Sequence, residues 1–335
     1  MSITTSVTDT HLTRSTIWTG DLKEALQDSL DGQSYVRWLS DFPDGDNWTI
    51  PSIGEATVRD YSENTAATYD SLDTGQFQFN VTEYKQSGLY ITEQARQDSW
   101  YSSQLEASFV PKMQRALAES VETDIFSLAN PNTGVSKGAH TQTNDDPNTI
   151  NGAAHRLIGS GSAGATERYF DFSDAARALY ALKRANVPDS NLIGIVDPSV
   201  EYYINLHILQ TDVASSAAQP RWDGLVEDGG IASGMRFVRN IFGFDLYVSN
   251  YLSANTEQET NVATDNIEIG DINNIFFSAA GQDILPMIGA WRQMPKVDSD
   301  YNKDFQREEY IVTSRYGLDL YRPENFVTIA TNPTV

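Results

Sequence analysis

The rhythm of hydrophobic and polar positions changes along the chain. Residues 1–47 have no sustained period. Thr, Ser and Asp dominate, and only Leu22, Leu26 and Leu30, at i, i+4 and i+8, suggest a short helix over 21–30. Such a stretch has too little apolar surface for its own core and reads as an arm that packs on something else. From Trp48 the pattern becomes extended. Trp48, Ile50, Ile53 and Val58 lead to a polar tip at 61–75, after which Phe77, Phe79 and Val81 alternate with Gln78, Asn80 and Thr82. That period of two predicts a β-hairpin over 48–92, with alternation resuming at Leu89 and Ile91. The Phe77, Phe79, Val81 face of a projecting hairpin is expected to lack a local partner. Next, Tyr101, Leu105, Phe109, Met113, Leu117, Val121 and Ile125 form an i+4 row. It predicts one long helix over 99–129, with a stripe that drifts by about 40° per step and a kink at Pro111.

Residues 131–170 read as a long loop with one hairpin at most, rich in Gly, Ser, Asn and Thr. From 171 the texture is α/β. Ser173 is expected to cap a helix carrying Ala175, Ala178, Leu179 and Leu182, which stops at Asn186 before Pro188. Leu192 to Val196 reads as a strand. Asp197-Pro198 reads as a cap with proline opening the next helix. Two strands are expected around Asn240 and Gly243 and another at 275–277, and residues 291–335 read as β again, with Tyr310, Val312, Ser314, Tyr316, Leu318 and Leu320 on one face. The whole is an α+β chain.

Charge narrows the function. The 335 residues hold 23 basic and 46 acidic side chains, a net charge of −23. Phosphate affinity comes from clustered Lys and Arg, so a sequence-specific nucleic-acid binder is excluded, and an anionic membrane surface is an equally poor partner. Cysteine is absent, which removes disulfides, thiolate catalysis and Cys-ligated metals. No apolar run approaches the roughly 18 residues of a membrane span.

Motifs of chemistry fail one by one. Gly159, Gly161 and Gly164 match GxGxxG, but with NGAAHRLI before, ATERYFDF after, and Arg at position 184 where an acid would be wanted, they read as a flexible loop. His11, His140, His155 and His207 are scattered without ligand spacing; His207, between Leu206 and Ile208 on an expected helix, reads as a packed or surface residue. Asp41, Asp44 and Asp46 suggest half a calcium loop but lack its closing Glu, so an ordinary turn is expected. There is no GxSxG. No catalytic, cofactor-binding or metal residue is therefore assigned.

Three stretches stand out together: residues 77–99 from hairpin to helix, the glycine-centred GMRFVRNIFGFDLYVSN at 234–250, and YGLDLYRPENFV at 316–327. In this order the chain resembles the major capsid proteins of tailed bacteriophages, a fold shared with encapsulin nanocompartments. The resemblance implies names for the parts. Residues 1–47 would be an N-terminal arm and 48–92 an extended loop lying over a neighbour. Residues 93–170 and 287–335 would form a peripheral domain with a spine helix at 99–129, and 171–286 an axial domain. It further implies a virion shell of hexamers and pentamers, assembled in the host bacterial cytoplasm around double-stranded DNA. A portal, possible cement proteins and, for a chain untrimmed at Met1, a separate scaffolding protein would be its partners. An acidic subunit suits a wall along which DNA must slide. Some family members cross-link shells through a lysine of the extended loop; here 48–92 hold one lysine, Lys85, and the tip none, so no covalent cross-links are expected. The alternatives are an encapsulin-type compartment of the same fold and, from a different class, an acidic secreted enzyme or binding module.

Overall fold

The computed structural model describes residues 30, 32–39, 47–53, 58, 60, 63–64, 66, 74–98, 102–130, 142–143, 146–147, 149–161, 168–211, 236–256, 258–262 and 265–334. The helix expected over 21–30 lies, Leu30 apart, outside them, as do the turn at 41–46 and most of the hairpin tip. The first half of the chain holds β1 (Val36–Leu39), β2 (Asn47–Ile53), β3 (Thr74–Asn80), β4 (Glu83–Thr92), α1 (Glu93–Asp98) and α2 (Ser102–Phe126). Short pairs follow: β5 (Gln142–Thr143) with β6 (Asp146–Pro147), and β7 (Thr149–Ile150) with β8 (Ala153–Ala154). Then come β9 (Arg156–Ile158), α3 (Phe172–Arg184), β10 (Leu192–Val196), α4 (Pro198–Thr211), β11 (Arg236–Ile241) and β12 (Phe244–Val248). The chain continues through β13 (Glu259–Val262), β14 (Asp265–Ile267), β15 (Ile272–Ser278), β16 (Met287–Asn302), β17 (Arg307–Leu320) and β18 (Val327–Thr331).

Two sheets carry the architecture. The first is four-stranded, in the order β1-β16-β17-β4, with β1 parallel to β16 and the remaining pairs antiparallel. The second is six-stranded, in the order β11-β12-β10-β15-β18-β9. One core joins them: Val121, Ile125 and Phe126 of α2 meet Ile195, Ile275 and Phe277 of the larger sheet and Tyr316, Leu318 and Leu320 of the smaller. The other face of the larger sheet is covered by α3 and α4, where Ala178, Leu182, Val200 and Ile204 pack on Leu246, Phe276 and Ile329.

The long helix is found as α2, three residues later than expected, with Pro111 inside it and a 3₁₀ turn, Ser127–Ala129, at its end. Met113, Leu117, Val121 and Ile125 of the i+4 row are all buried. Several expectations change. The cap of α3 is Asp171, not Ser173: its backbone N–H donates to Asp174 Oδ2 at 2.9 Å, while the Ser173 hydroxyl donates to Asp171 Oδ2 and is also hydrogen-bonded to the Ser160 hydroxyl. Acid at both ends of that first turn supplies the acceptors which free helix N–H groups need. The 131–170 stretch is not simply a loop, because β9 enters the larger sheet parallel to β18 and is buried throughout. The hairpin proper is β2–β3. β4 leaves it and pairs along its whole length with β17.

At the β11–β12 turn, Gly243 has φ +90, where an L side chain is strained. Its surroundings leave room, since an added Cβ would meet only Leu192 Cδ1, at 3.7 Å. Gly243→Val therefore tests conformation rather than crowding. It is expected to lower stability by roughly 1–3 kcal/mol, seen as an earlier urea midpoint; an unchanged midpoint would contradict the strain.

Candidate assembly surfaces

β2 and β3 pair in register from Asn47↔Asn80 to Ile53↔Thr74. Phe79 and Val81, at and just beyond the end of this ladder, are buried against Ile288 and Ala290 of β16, with Trp48, Ile50 and Phe77 around them. The hairpin base thus lies on one face of the four-stranded sheet of its own subunit, which corrects the expectation that this face lacked a local partner. The signal missed was β16 itself. Gly317 allows the approach: a Cβ there would sit 2.5 Å from Asn80 O. Phe77 also meets Tyr321 edge-on, with ring centroids 5.2 Å apart.

The same face continues along β17 beyond the hairpin. Strand alternation puts Arg315, Ile311 and Glu309 on the side of Gly317, and their partners on β4 are Tyr84, Gly88 and Tyr90. This half is open: Tyr84 is 62% and Tyr90 59% exposed. At its end, Arg307 lies between two rings, with its guanidinium carbon 4.5 Å from the centroid of Tyr90 and 4.7 Å from that of Phe305. Its Nε donates to Glu309 Oε1 at 2.6 Å, and that bond holds the Glu309 carboxyl below its usual range.

The opposite face of the sheet lies under α2. Lys85 Nζ is 3.3 Å from both Glu83 Oε2 and Asp124 Oδ2, and the Tyr316 hydroxyl donates to Asp124 Oδ2 at 2.7 Å. Burial works to lower the Lys85 pKa, but the two carboxylates outweigh it and hold it above the usual range. Burial, then the bond to Asp124, pushes the Tyr316 hydroxyl up. Lys85 is therefore a charged ion-pair partner within its own chain rather than an exposed nucleophile.

β1 enters this sheet under a related restraint. The Gly32 N–H, which opens the 3₁₀ turn Gly32–Tyr35, donates to the buried Glu122 Oε1 of α2 at 2.7 Å. Trp38 then stacks on Trp291, with centroids 5.0 Å apart. Residues 32–39 of the 1–47 segment are thus fixed to their own subunit.

Between the two sheets lies a polar knot that motif reading did not single out. Arg156 is 2% exposed. Its Nη1 donates to Ala129 O and Thr328 Oγ1, both at 3.1 Å, and its Nη2 to Asn273 Oδ1 at 3.1 Å and Asn255 Oδ1 at 3.4 Å. Beside it Arg168 grips Asp271 with two bonds of 2.7 and 3.0 Å. Buried cations survive when every N–H finds an acceptor, and these acceptors come from the end of α2, the 249–256 loop, β15 and β18.

The remaining sequence candidates resolve as structure. Gly161 and Tyr169 exchange backbone hydrogen bonds of 2.9 and 3.0 Å, and a Cβ on Gly159 would sit 2.5 Å from Tyr169 O. Those two glycines serve close chain approach; Gly164 lies outside the described residues. His155 is fully buried between two backbone carbonyls, of Ala153 at 3.1 Å and Glu324 at 3.2 Å, and burial lowers its pKa. His207 is on α4; His11, His140 and Asp41, Asp44 and Asp46 lie outside the described residues. Among the described residues no group of three His, Cys, Asp or Glu could hold a metal ion, and no helix is long and apolar enough to cross a membrane.

A profile of the phage capsid protein family matches residues 56–329. No curated protein matches the chain in sequence. Among solved structures, that of Mycobacterium phage Che8 is 17% identical, with a TM-score of 0.60 over 95% of this chain and 97% of that one. The capsid of cyanophage P-SCSP1u is 15% identical, with a TM-score of 0.61 over 95% and 93%. The mature capsid of bacteriophage PhiM1 is 11% identical, with a TM-score of 0.62 over 95% and 92%. At these identities the likeness is one of fold.

Proposed function

The chain belongs to the phage capsid protein family, and from that premise we propose how its parts build a head. It is a structural, non-enzymatic shell protein that assembles from copies of itself in the virion, so the secreted-enzyme alternative falls. The encapsulin alternative has no comparable support. In the proposed arrangement hexamers and pentamers close around double-stranded DNA in the host cytoplasm, with a scaffolding protein, a portal and cement proteins as partners. Residues 1–47 are the arm and 48–92 the extended loop. Residues 93–170 and 287–335 are the peripheral domain, with α2 as its spine, and 171–286 the axial domain. That division is one of surface rather than core, since one core joins both sheets.

The observation that carries this reading is the family match across residues 56–329. The four-stranded sheet adds a physical reason for assembly. One half of its face is covered by the subunit's own hairpin, and the other half, with Tyr84 and Tyr90, faces solvent. Light scattering on the expressed protein, with its scaffold present, should give megadalton particles, and a persistent monomer would refute the reading. Because Lys85 is ion-paired at home, boiled particles should run as one band near 37.2 kDa; a ladder of multimers would show cross-linking.

A further inference from the structure

We propose that Phe242 is an assembly contact, held out on a strained turn to dock against a second copy of this chain. The proposal rests on the shell-forming reading above. β11 and β12 are joined by two residues, since Ile241 pairs with Phe244. Both have positive φ, +51 at Phe242 and +90 at Gly243, the type I′ pattern whose twist matches a hairpin. That pattern favours Asn, Asp or Gly in first place, because a bulky side chain crowds the backbone in the left-handed region. Elsewhere the chain mostly respects this. The other non-glycine residues of positive φ among those described are Asn64, Asn151, Asn186, Asn191 and Gln306. Gln306 and Phe242 depart from it, and among the described residues only Phe242 puts an aromatic ring there.

The turn is well enforced. Asn240 Nδ2 donates to Asp245 Oδ1 at 2.6 Å across a cross-strand pair, and Ile241 and Phe244 on either side are buried. The strain therefore persists, yet the subunit gains little from the ring that causes it, because Phe242 is 46% exposed. A strained, half-hydrated aromatic destabilises an isolated subunit. Its contribution turns favourable when the ring leaves water against another molecule.

The position suits such a contact. β11 is the end strand of the six-stranded sheet, so its turn lies at the rim rather than beneath a neighbouring strand. The occupant is a second copy because the chain assembles from copies of itself, and symmetry repeats one exposed ring per subunit at every equivalent contact.

Phe242→Asn separates the two roles of the residue, since Asn is at ease in the left-handed region and carries no ring. The unassembled variant should melt at the wild-type midpoint or about 1–3 °C above it. At a concentration where half of the wild-type subunits sediment as particles, the particle fraction should fall roughly tenfold. Phe242→Leu, apolar but equally strained, should recover part of that yield. A lowered midpoint for Phe242→Asn would place the ring in the subunit's own packing, and an unchanged particle fraction would make it idle; either result overturns the proposal. A wild-type protein that forms no particles would instead overturn the shell-forming reading, and the proposal with it.

Discussion

Gly317→Val should lift the β2–β3 hairpin from its own subunit and abolish particle formation. Gly317 lies on the face of β17 that the hairpin covers. A Cβ there would sit 2.5 Å from Asn80 O, 3.0 Å from Val81 Cα and 3.1 Å from Phe79 Cζ. The first two are backbone atoms, which cannot swing aside as a side-chain end does. Relief requires the hairpin base to move, and that uncovers Phe79 and Val81, now 0% and 7% exposed. Overpacking and lost burial together should cost about 2–4 kcal/mol. The urea midpoint should fall, and sedimentation should find subunits where the wild type gives particles. Wild-type values for both would mean that the approach at Gly317 is slack.

Arg156→Met should destabilise the subunit by roughly 3–5 kcal/mol, because it removes the donor shared by four buried oxygens while keeping most of the volume. Ala129 O, Thr328 Oγ1, Asn255 Oδ1 and Asn273 Oδ1 would lose their common partner. Arg156→Lys should be intermediate, because one ammonium cannot span the four oxygens with the reach of a guanidinium fork. The thermal midpoint should drop by roughly 5–10 °C for Met. A Met variant that melts like the wild type would show that the acceptors re-pair among themselves.

Local periodicity made some elements readable and left others hidden. The row from Met113 to Ile125 announced α2, because a helix buries one stripe that its own spacing defines. The Phe244–Val248 strand and the glycine turn before it were readable for the same local reason. β16 was not. Its 16 residues contain Pro295, and its register against β17 slips between Trp291 and Gln293 and again between Gln293 and Lys296. Proline and bulges are tolerated there but erase the alternation that marks a strand. Its first residues, Ile288 and Ala290, which cover Phe79 and Val81, lay before the β texture read at 291–335 began, so the cover was unseen too. Arg156 escaped for another reason. Its partners come from 27 to 172 residues away, so nothing in its neighbourhood marks it as buried. Phe242 was visible as a letter but not as a strain, because only the backbone shows its positive φ.

The placing of β18 bears on when the fold can form. β18, the last strand described, sits between β15 and β9, whose sequence positions lie far upstream. Until residues 327–331 leave the ribosome, β15 lacks its partner on that side and β9 has no strand to pair with. The larger sheet must then stay incomplete until those residues emerge, with Ile275, Phe276 and Phe277 not yet enclosed. Pairings over such separations close slowly, and unfinished sheet edges invite aggregation. A nascent chain of this kind depends on chaperones or on rapid completion, and a stalled ribosome short of β18 would release an insoluble fragment rather than a partly useful subunit.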